Sequence, residues 1–393
     1  MTNLFINEVG GEGISYVAGT CNVPLRTTYE VGGGVNMKKI LIANIFGIGD
    51  VLNTTPLIVN LKKAYDNVSV DYLCNGRVRE IAGDIPGIDS IFVYEKDAFV
   101  KLWKRSKKEW VSALFGLFCD IKKQKYDAVF DFTLSREFGF FFMLAGIRSR
   151  IGFDYKGRGL FLTEKLPLAA FENRHVIEYG LDLLRGIDVP ATEKEMRLSA
   201  DKKSLAYIND YFEKNKIDSE RLIAIVPGGG ASWGSQAYRR RWNVENFSRV
   251  ADALSGKGFQ IAVIGDNAET ELCRSVAGEM KHAPDIVRND LSLKQYAAFL
   301  KKSLLVVCND GGPLHITVAL GTKGVFIFGP VDDKVYGPYP ITDRHKVVLA
   351  EQVSCRPCYY KFKLPKCEND KKCLSEISPE RVLGVCLKLL GKG

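Results

Sequence analysis

Leu304-Leu-Val-Val-Cys-Asn-Asp-Gly-Gly-Pro-Leu-His-Ile-Thr-Val-Ala-Leu-Gly321 is the stretch on which the fold turns. Leu304 to Cys308 is a short apolar run suited to a buried strand, and Pro313 to Leu320 reads as a helix with proline at its first position. Between them lie Asn309, Asp310, Gly311 and Gly312. Paired glycines let the backbone turn tightly and approach a ligand, while the unpaired N–H groups of the following helix favour an anion in the turn. Phosphate fits that description. His315 falls in the first helical turn, where an imidazole can donate to a phosphate oxygen, and Asp310 either caps the helix or holds the loop. An ordinary strand-to-helix turn would explain these residues if nothing else in the chain pointed to a ligand.

Outward from this stretch, strand and helix patterns alternate. A first series has strand-like runs at Lys39 to Asn44, Val68 to Cys74, Ser90 to Tyr94, Ala128 to Asp131 and Ser149 to Phe153. A second has them at Leu222 to Val226, Gln260 to Ile264, Leu304 to Cys308 and Gly324 to Phe328. Such alternation predicts parallel sheets with helices on both faces. Residues 188–220 are polar, carry one helical pattern and read as a connector. The expected architecture is α/β, with two Rossmann-like doubly wound domains, 37–187 and 221–350, facing across a ligand cleft. Residues 351–393 follow as a cysteine-containing loop and a helix. Residues 1–36 lack periodicity, end in Gly32-Gly33-Gly34 and precede Met37, so the folded domain is expected to begin there, with 1–36 a disordered extension or the result of an upstream start assignment.

Composition narrows the classes. With 393 residues and 46% hydrophobic content the chain is long enough for two cores. It contains no apolar run of membrane-spanning length and no secretory signal pattern, and a cytoplasmic protein is expected. The net charge of +9 suits anionic partners. Basic residues concentrate between Lys101 and Lys125, interleaved with Trp103, Trp110, Leu114, Phe115, Leu117 and Phe118. Two readings are open: a helix resting on an anionic membrane surface, or a core-facing amphipathic helix with solvated lysines. Of 10 cysteines, Cys355, Cys358, Cys367 and Cys373 fall close together, spaced as a structural zinc site or a loop of ordinary thiols.

Further residues carry candidate chemistry. Gly47-x-Gly49 follows the first strand, but Leu52 stands where a dinucleotide fingerprint has its third glycine, which argues against a nicotinamide site. Asp50 can be a helix cap or a general base on the cleft wall. Pro227-Gly228-Gly229-Gly230 can wrap a diphosphate with backbone N–H groups, and Arg239-Arg240-Arg241 follow it closely. Glu269, just beyond a strand, can accept from ribose hydroxyls or compensate a helix dipole. Neither unit has a His-x-x-x-His pair or a serine elbow, so metal hydrolysis and acyl transfer are not expected.

With these residues in order the chain resembles the heptosyltransferases of glycosyltransferase family 9. The resemblance rests on Gly49-Asp50-Val51-Leu52 with Pro56, Ser149-Arg150-Ile151-Gly152, Pro227-Gly228 with Arg241-Trp242, and Asn309 to His315 leading to Phe328-Gly329-Pro330. It implies a GT-B architecture and metal-independent, inverting transfer of a sugar, heptose from ADP-heptose, onto the inner core of lipopolysaccharide or a related lipid-linked saccharide. It implies Asp50 as catalytic base, Arg240 as the cation stabilising the departing diphosphate, and Glu269 as the ribose-binding acid. Gly228, Gly229, Arg241, Asp310, Gly311, Gly312 and His315 would hold the donor's nucleotide diphosphate. No catalytic cofactor is implied, and the enzyme would work peripherally at the inner face of the cytoplasmic membrane. Another nucleotide sugar, or an epimerase or hydrolase of similar architecture, remains an alternative. A nucleic-acid-binding protein is the rival from another class, and the sequence has no stacking motif or recognition helix to support it.

Overall fold

The computed structural model describes residues 37–392, and the expected extension 1–36 lies outside the described residues. Two six-stranded parallel sheets form. The first holds β1 (Lys39–Ala43), β2 (Ser69–Cys74), β3 (Ser90–Val93), β4 (Ala128–Asp131), β5 (Ser149–Tyr155) and β6 (Glu164–Leu168), in the order β3-β2-β1-β4-β5-β6. The second holds β7 (Leu222–Val226), β8 (Gln260–Ile264), β9 (Ile286–Arg288), β10 (Leu305–Asn309), β11 (Gly324–Phe328) and β12 (His345–Leu349). Its order, β12-β11-β10-β7-β8-β9, repeats the same winding.

The order reverses between β1 and β4 and again between β7 and β10, so the chain leaves these neighbouring strands in opposite directions. A crevice opens there at the carboxyl ends of the strands, the usual place for a ligand in such sheets. The quoted stretch and the Gly47 loop both emerge at these points. Strands β7, β10 and β11 are buried at every residue, which is why their sequences read as unbroken apolar runs.

The outer strands β6, β9 and β12 escape that signal. Strand β6, Glu-Lys-Leu-Pro-Leu, is mostly exposed, and β9 and β12 mix charged with apolar residues, as edge strands do. The basic stretch also differs from a single helix. It breaks into Lys96–Arg105 and Lys107–Lys123 at Ser106, whose Oγ accepts a hydrogen bond from the Glu109 N–H at 3.3 Å.

One apolar cluster runs from the inner face of the first sheet through its helices to the inner face of the second, joining Ile40, Ile42 and Phe130 with Ala224, Val306 and Phe328. Separate clusters cover the outer faces. Residues 188–201 run between the lobes largely without regular structure, pinned where Leu198 N–H meets the Ala319 carbonyl at 3.1 Å and Arg197 N–H meets Thr55 Oγ1 at 3.0 Å. Among the described residues no helix is long and apolar enough to cross a membrane.

Candidate functional site

Two glycine loops meet at the carboxyl ends of β7 and β10. Gly229 has φ +111° and Gly230 φ +76°, conformations that side chains disfavour, and they lie directly against the second loop. A Cβ on Gly311 (φ +149°) would come within 3.3 Å of the Gly230 nitrogen. Asn309, fully buried, ties the loops together: its Nδ2 donates to the Pro227 and Gly228 carbonyls at 2.7 and 3.0 Å, and its Oδ1 accepts from Trp242 N–H at 2.9 Å.

Glu269 closes the other side of the first loop. Its Oε1 accepts from Gly229 N–H at 2.7 Å and lies 3.3 Å from the Arg241 guanidinium, while Oε2 faces the Asp266 N–H at 3.3 Å. Gly228 permits this approach, because a Cβ there would fall 2.1 Å from the Glu269 carboxyl. Burial raises the Glu269 pKa, and the Gly229 N–H opposes that rise.

Arg240 and Asp310 form a buried ion pair. The aspartate therefore does not cap the helix Gly312–Ala319, one of the two roles its position suggested. Burial raises the Asp310 pKa and the Arg240 cation opposes it. His315, on the first turn of that helix, is buried and held neutral: burial, with the nearby His175 and Arg240, lowers its pKa to about 3. Three buried polar atoms here have no partner among the described residues: Arg240 Nε, Asp310 Oδ1 and His315 Nδ1. Unsatisfied buried polar atoms are costly, and their convergence on one spot marks a place shaped for a polar ligand.

Asp50 faces this group from the other lobe. The helix Ile48–Leu52 packs so closely on the helix Gly312–Ala319 that a Cβ on Gly49 would lie 2.4 Å from His315 Cδ2. Asp50 Oδ2 accepts from Gly47 N–H at 3.0 Å, so the capping interaction is real. Its carboxyl still meets solvent at the cleft floor. The surrounding protein nevertheless desolvates it and raises its pKa, against the pull of Gly47 N–H and Arg240. Gly312 comes to this seam as well, where a Cβ would touch Ile48.

His175 joins the lobes beside this cleft. Its Nε2 donates to the Gly337 carbonyl at 3.0 Å, its Nδ1 accepts from Ile177 N–H at 3.2 Å, and its ring stacks on Tyr339 at 4.5 Å. Burial lowers its pKa to about 4. Glu178, one turn on, accepts from Tyr339 Oη at 2.5 Å and pairs with Lys194 at 2.6 Å and Arg185 at 3.1 Å. Although burial pushes the other way, those partners hold its carboxyl down to about 2.

All ten residues expected at the nucleotide and catalytic site thus lie along one cleft. Sequence reasoning missed Asn309 as the tie between loops, for which the only signal is its position at a strand end before Asp-Gly-Gly. It also missed Trp233, Tyr336 and Tyr359, which come from a 3₁₀ segment, a short helix and the cysteine-bearing loop, with no shared pattern. Cys355, Cys358, Cys367 and Cys373, open to a zinc site or a loop of ordinary thiols, come near one another, the first three all acting electrostatically on the Cys373 thiol. Cys355 is exposed, Cys373 is buried under the C-terminal helix, and among the described residues no group of three or more His, Cys, Asp or Glu side chains is arranged to hold a metal ion. The loop is organised instead by backbone bonds to Pro330 and by arginine contacts.

Comparison with known proteins gives one consistent result. The model of glycosyltransferase family 9 (heptosyltransferase) matches residues 115–368. The chain is 22% identical over 296 residues to lipopolysaccharide heptosyltransferase 3 of Escherichia coli, covering 74% of this chain and 83% of that one. Among solved structures it is similar to a family 9 glycosyl transferase from Veillonella parvula, with a TM-score of 0.76 and 21% identity over 91% of this chain and 98% of the other. It is also similar to the ADP-heptose heptosyltransferase II of E. coli, with a TM-score of 0.69 and 19% identity over 91% and 99% of the two chains. The two-sheet architecture is therefore the GT-B fold.

Proposed function

This chain belongs to glycosyltransferase family 9, and on that premise we propose that it moves a heptose from ADP-heptose onto the inner core of lipopolysaccharide or a related lipid-linked saccharide. The names of the relatives supply the substrates. The carrying observation is the set of unpartnered buried polar atoms, on Arg240, Asp310 and His315, opposite Asp50. A guanidinium N–H and a neutral imidazole N–H suit phosphate oxygens, and the free Asp310 oxygen suits a sugar hydroxyl.

In this reading the acceptor oxygen attacks the anomeric carbon from the side opposite the diphosphate while Asp50 takes its proton. The bond from that carbon to the phosphate oxygen breaks, ADP leaves with the electron pair, and the configuration inverts. Arg240, the Gly228-Gly229 loop and the Gly311-Gly312 turn receive the growing charge, aided by Arg241, so no metal takes part. His315 holds the diphosphate as a neutral donor. Glu269 binds the ribose through its carboxylate oxygens.

The first lobe would meet the acceptor at the inner face of the cytoplasmic membrane. Val111 and Phe115 on the helix Lys107–Lys123, and Phe140, Met143 and Leu144 on the helix Arg136–Leu144, are all solvent-exposed. Both helices pack their other sides on the same face of the first sheet, so these side chains point outward together, beside Lys107 and Lys108. An apolar ridge with basic neighbours suits an anionic bilayer surface.

Calorimetric titration of the full chain with ADP, UDP and GDP tests the donor. Binding of ADP alone is expected. Preference for UDP or GDP would keep sugar transfer and remove heptose, and no binding to any of the three would sink the reading.

A further inference from the structure

We propose that Trp233, Tyr336 and Tyr359 form the subsite for the transferred sugar of the donor, with Tyr359 supplied by the cysteine-bearing loop. The inference rests on the nucleotide-sugar reading above and adds what that reading leaves open, namely the surface that meets the sugar itself.

The three rings line up from the ion pair outward. The Arg240 guanidinium lies 4.6 Å over the Trp233 ring. Trp233 lies 5.2 Å from Tyr359 with an interplanar angle of 34°, and Tyr359 lies 6.1 Å from Tyr336 at 60°. Asp50, Asp310 and Arg240 are all close enough to act electrostatically on both phenols. The aromatic group therefore borders the gap between the base and the diphosphate cradle. The anomeric carbon must occupy that gap in the reaction.

The chemistry of the group fits a polyol. A sugar ring offers an apolar C–H face to an aromatic ring and hydroxyls to polar edges, and sites for such ligands combine aromatic walls with a few placed polar groups. Tyr336 and Tyr359 are half-buried, and neither hydroxyl has a hydrogen-bond partner among the described residues, so each is free to meet a ligand hydroxyl. Burial keeps both phenols protonated, with that of Tyr359 pushed up to about 12, so each has an O–H to donate.

Tyr359 is held in place from both lobes. The N–H groups of Cys358 and Tyr359 donate to the Pro330 carbonyl at 2.9 and 3.0 Å, and Arg239 Nη1 donates to the Pro365 carbonyl at 2.6 Å. Arg356 reaches the Gly329 carbonyl at 3.2 Å and Asp333 at 3.1 Å. Across the cleft, Phe362 meets Tyr155 and Phe171 of the first lobe edge-on at 5.4 and 5.5 Å. The loop thus straps the two lobes beside the gap.

The test uses the full chain with Tyr359→Phe and Tyr336→Phe, which remove only the hydroxyl. Each variant and the parent are titrated calorimetrically with ADP and with ADP-heptose. ADP affinity is expected to stay unchanged while ADP-heptose affinity falls about 3- to 10-fold per hydroxyl, the effect of one lost hydrogen bond. Equal losses for both ligands, or no loss for either, would overturn the subsite and leave the nucleotide site standing. Failure of the parent to bind ADP would overturn the underlying reading and the subsite with it.

Discussion

Asp50 carries two physical roles in one carboxylate. It satisfies the Gly47 N–H at the start of a short helix, and it sits desolvated yet accessible opposite the Arg240–Asp310 pair. Replacement by asparagine retains an acceptor oxygen for Gly47 and removes the base. Asp50→Asn is therefore expected to lower the transfer rate by on the order of 10²- to 10⁴-fold with an unchanged melting temperature. Asp50→Ala should lose the same activity and, in addition, about 1 kcal/mol of stability with the cap. Steady-state transfer assays and thermal melts on the pair decide the matter, since an active Asn variant would reduce Asp50 to a cap. At this scale the sequence was informative where a residue type is rare in its context, as with Asp310 and His315 after a buried strand. It was silent on Trp233, Tyr336 and Tyr359, whose meaning comes from proximity between segments far apart in the chain.

The helices Lys107–Lys123 and Arg136–Leu144 show how an element reveals one face and hides the other. Leu114, Phe118 and Ile121 recur at helical spacing and fill the sheet face, so the core reading of this stretch is correct for that side. Trp103 and Trp110 pack edge-on against each other at 5.0 Å, which leaves Val111 and Phe115 to make the outward ridge with Phe140, Met143 and Leu144. Phe115→Asp with Leu144→Asp should weaken co-sedimentation with anionic phosphatidylglycerol vesicles by about 10-fold or more, since each buried side chain of this size contributes ~2 kcal/mol. Donor binding should not change. Equal co-sedimentation of parent and variant would leave the ridge without a membrane role. The helix break at Ser106 was not read from the sequence, and its effect on which aromatics face outward depended on how two helices pack.

At the scale of the molecule, His175 links pH to the stability of the contact between the lobes. It is 4% exposed, donates to Gly337 and is held neutral, with a folded pKa of about 4 against 6.5 for the free side chain. The unfolded chain takes up a proton below pH 6.5 that the folded chain refuses. This contribution to stability is therefore complete above pH 6.5 and is lost as the pH falls toward 4. Between pH 7 and pH 5 the loss attributable to His175 is about 2 kcal/mol. His315 acts in the same sense, its folded pKa being about 3. Denaturant unfolding of the parent and His175→Asn at both pH values should show the variant less stable at pH 7 but less sensitive to acid. Identical pH dependence in the two would remove His175 as the source.

The sequence by itself determined the class of the protein. Buried parallel strands must be apolar throughout, glycines are needed where loops turn at positive φ beside a ligand, and both demands leave marks in local sequence that survive without an alignment. It determined in the same way that Asp50, Asp310 and His315 lie at strand ends, and so near one crevice. Only the tertiary structure decided that Asp310 pairs with Arg240 instead of capping a helix, that Glu269 braces a glycine loop, and that the loop bearing the four cysteines reaches across to the first lobe. Those outcomes depend on distances between atoms far apart in the chain, set by the packing of two sheets, and nothing in the order of residues records such distances.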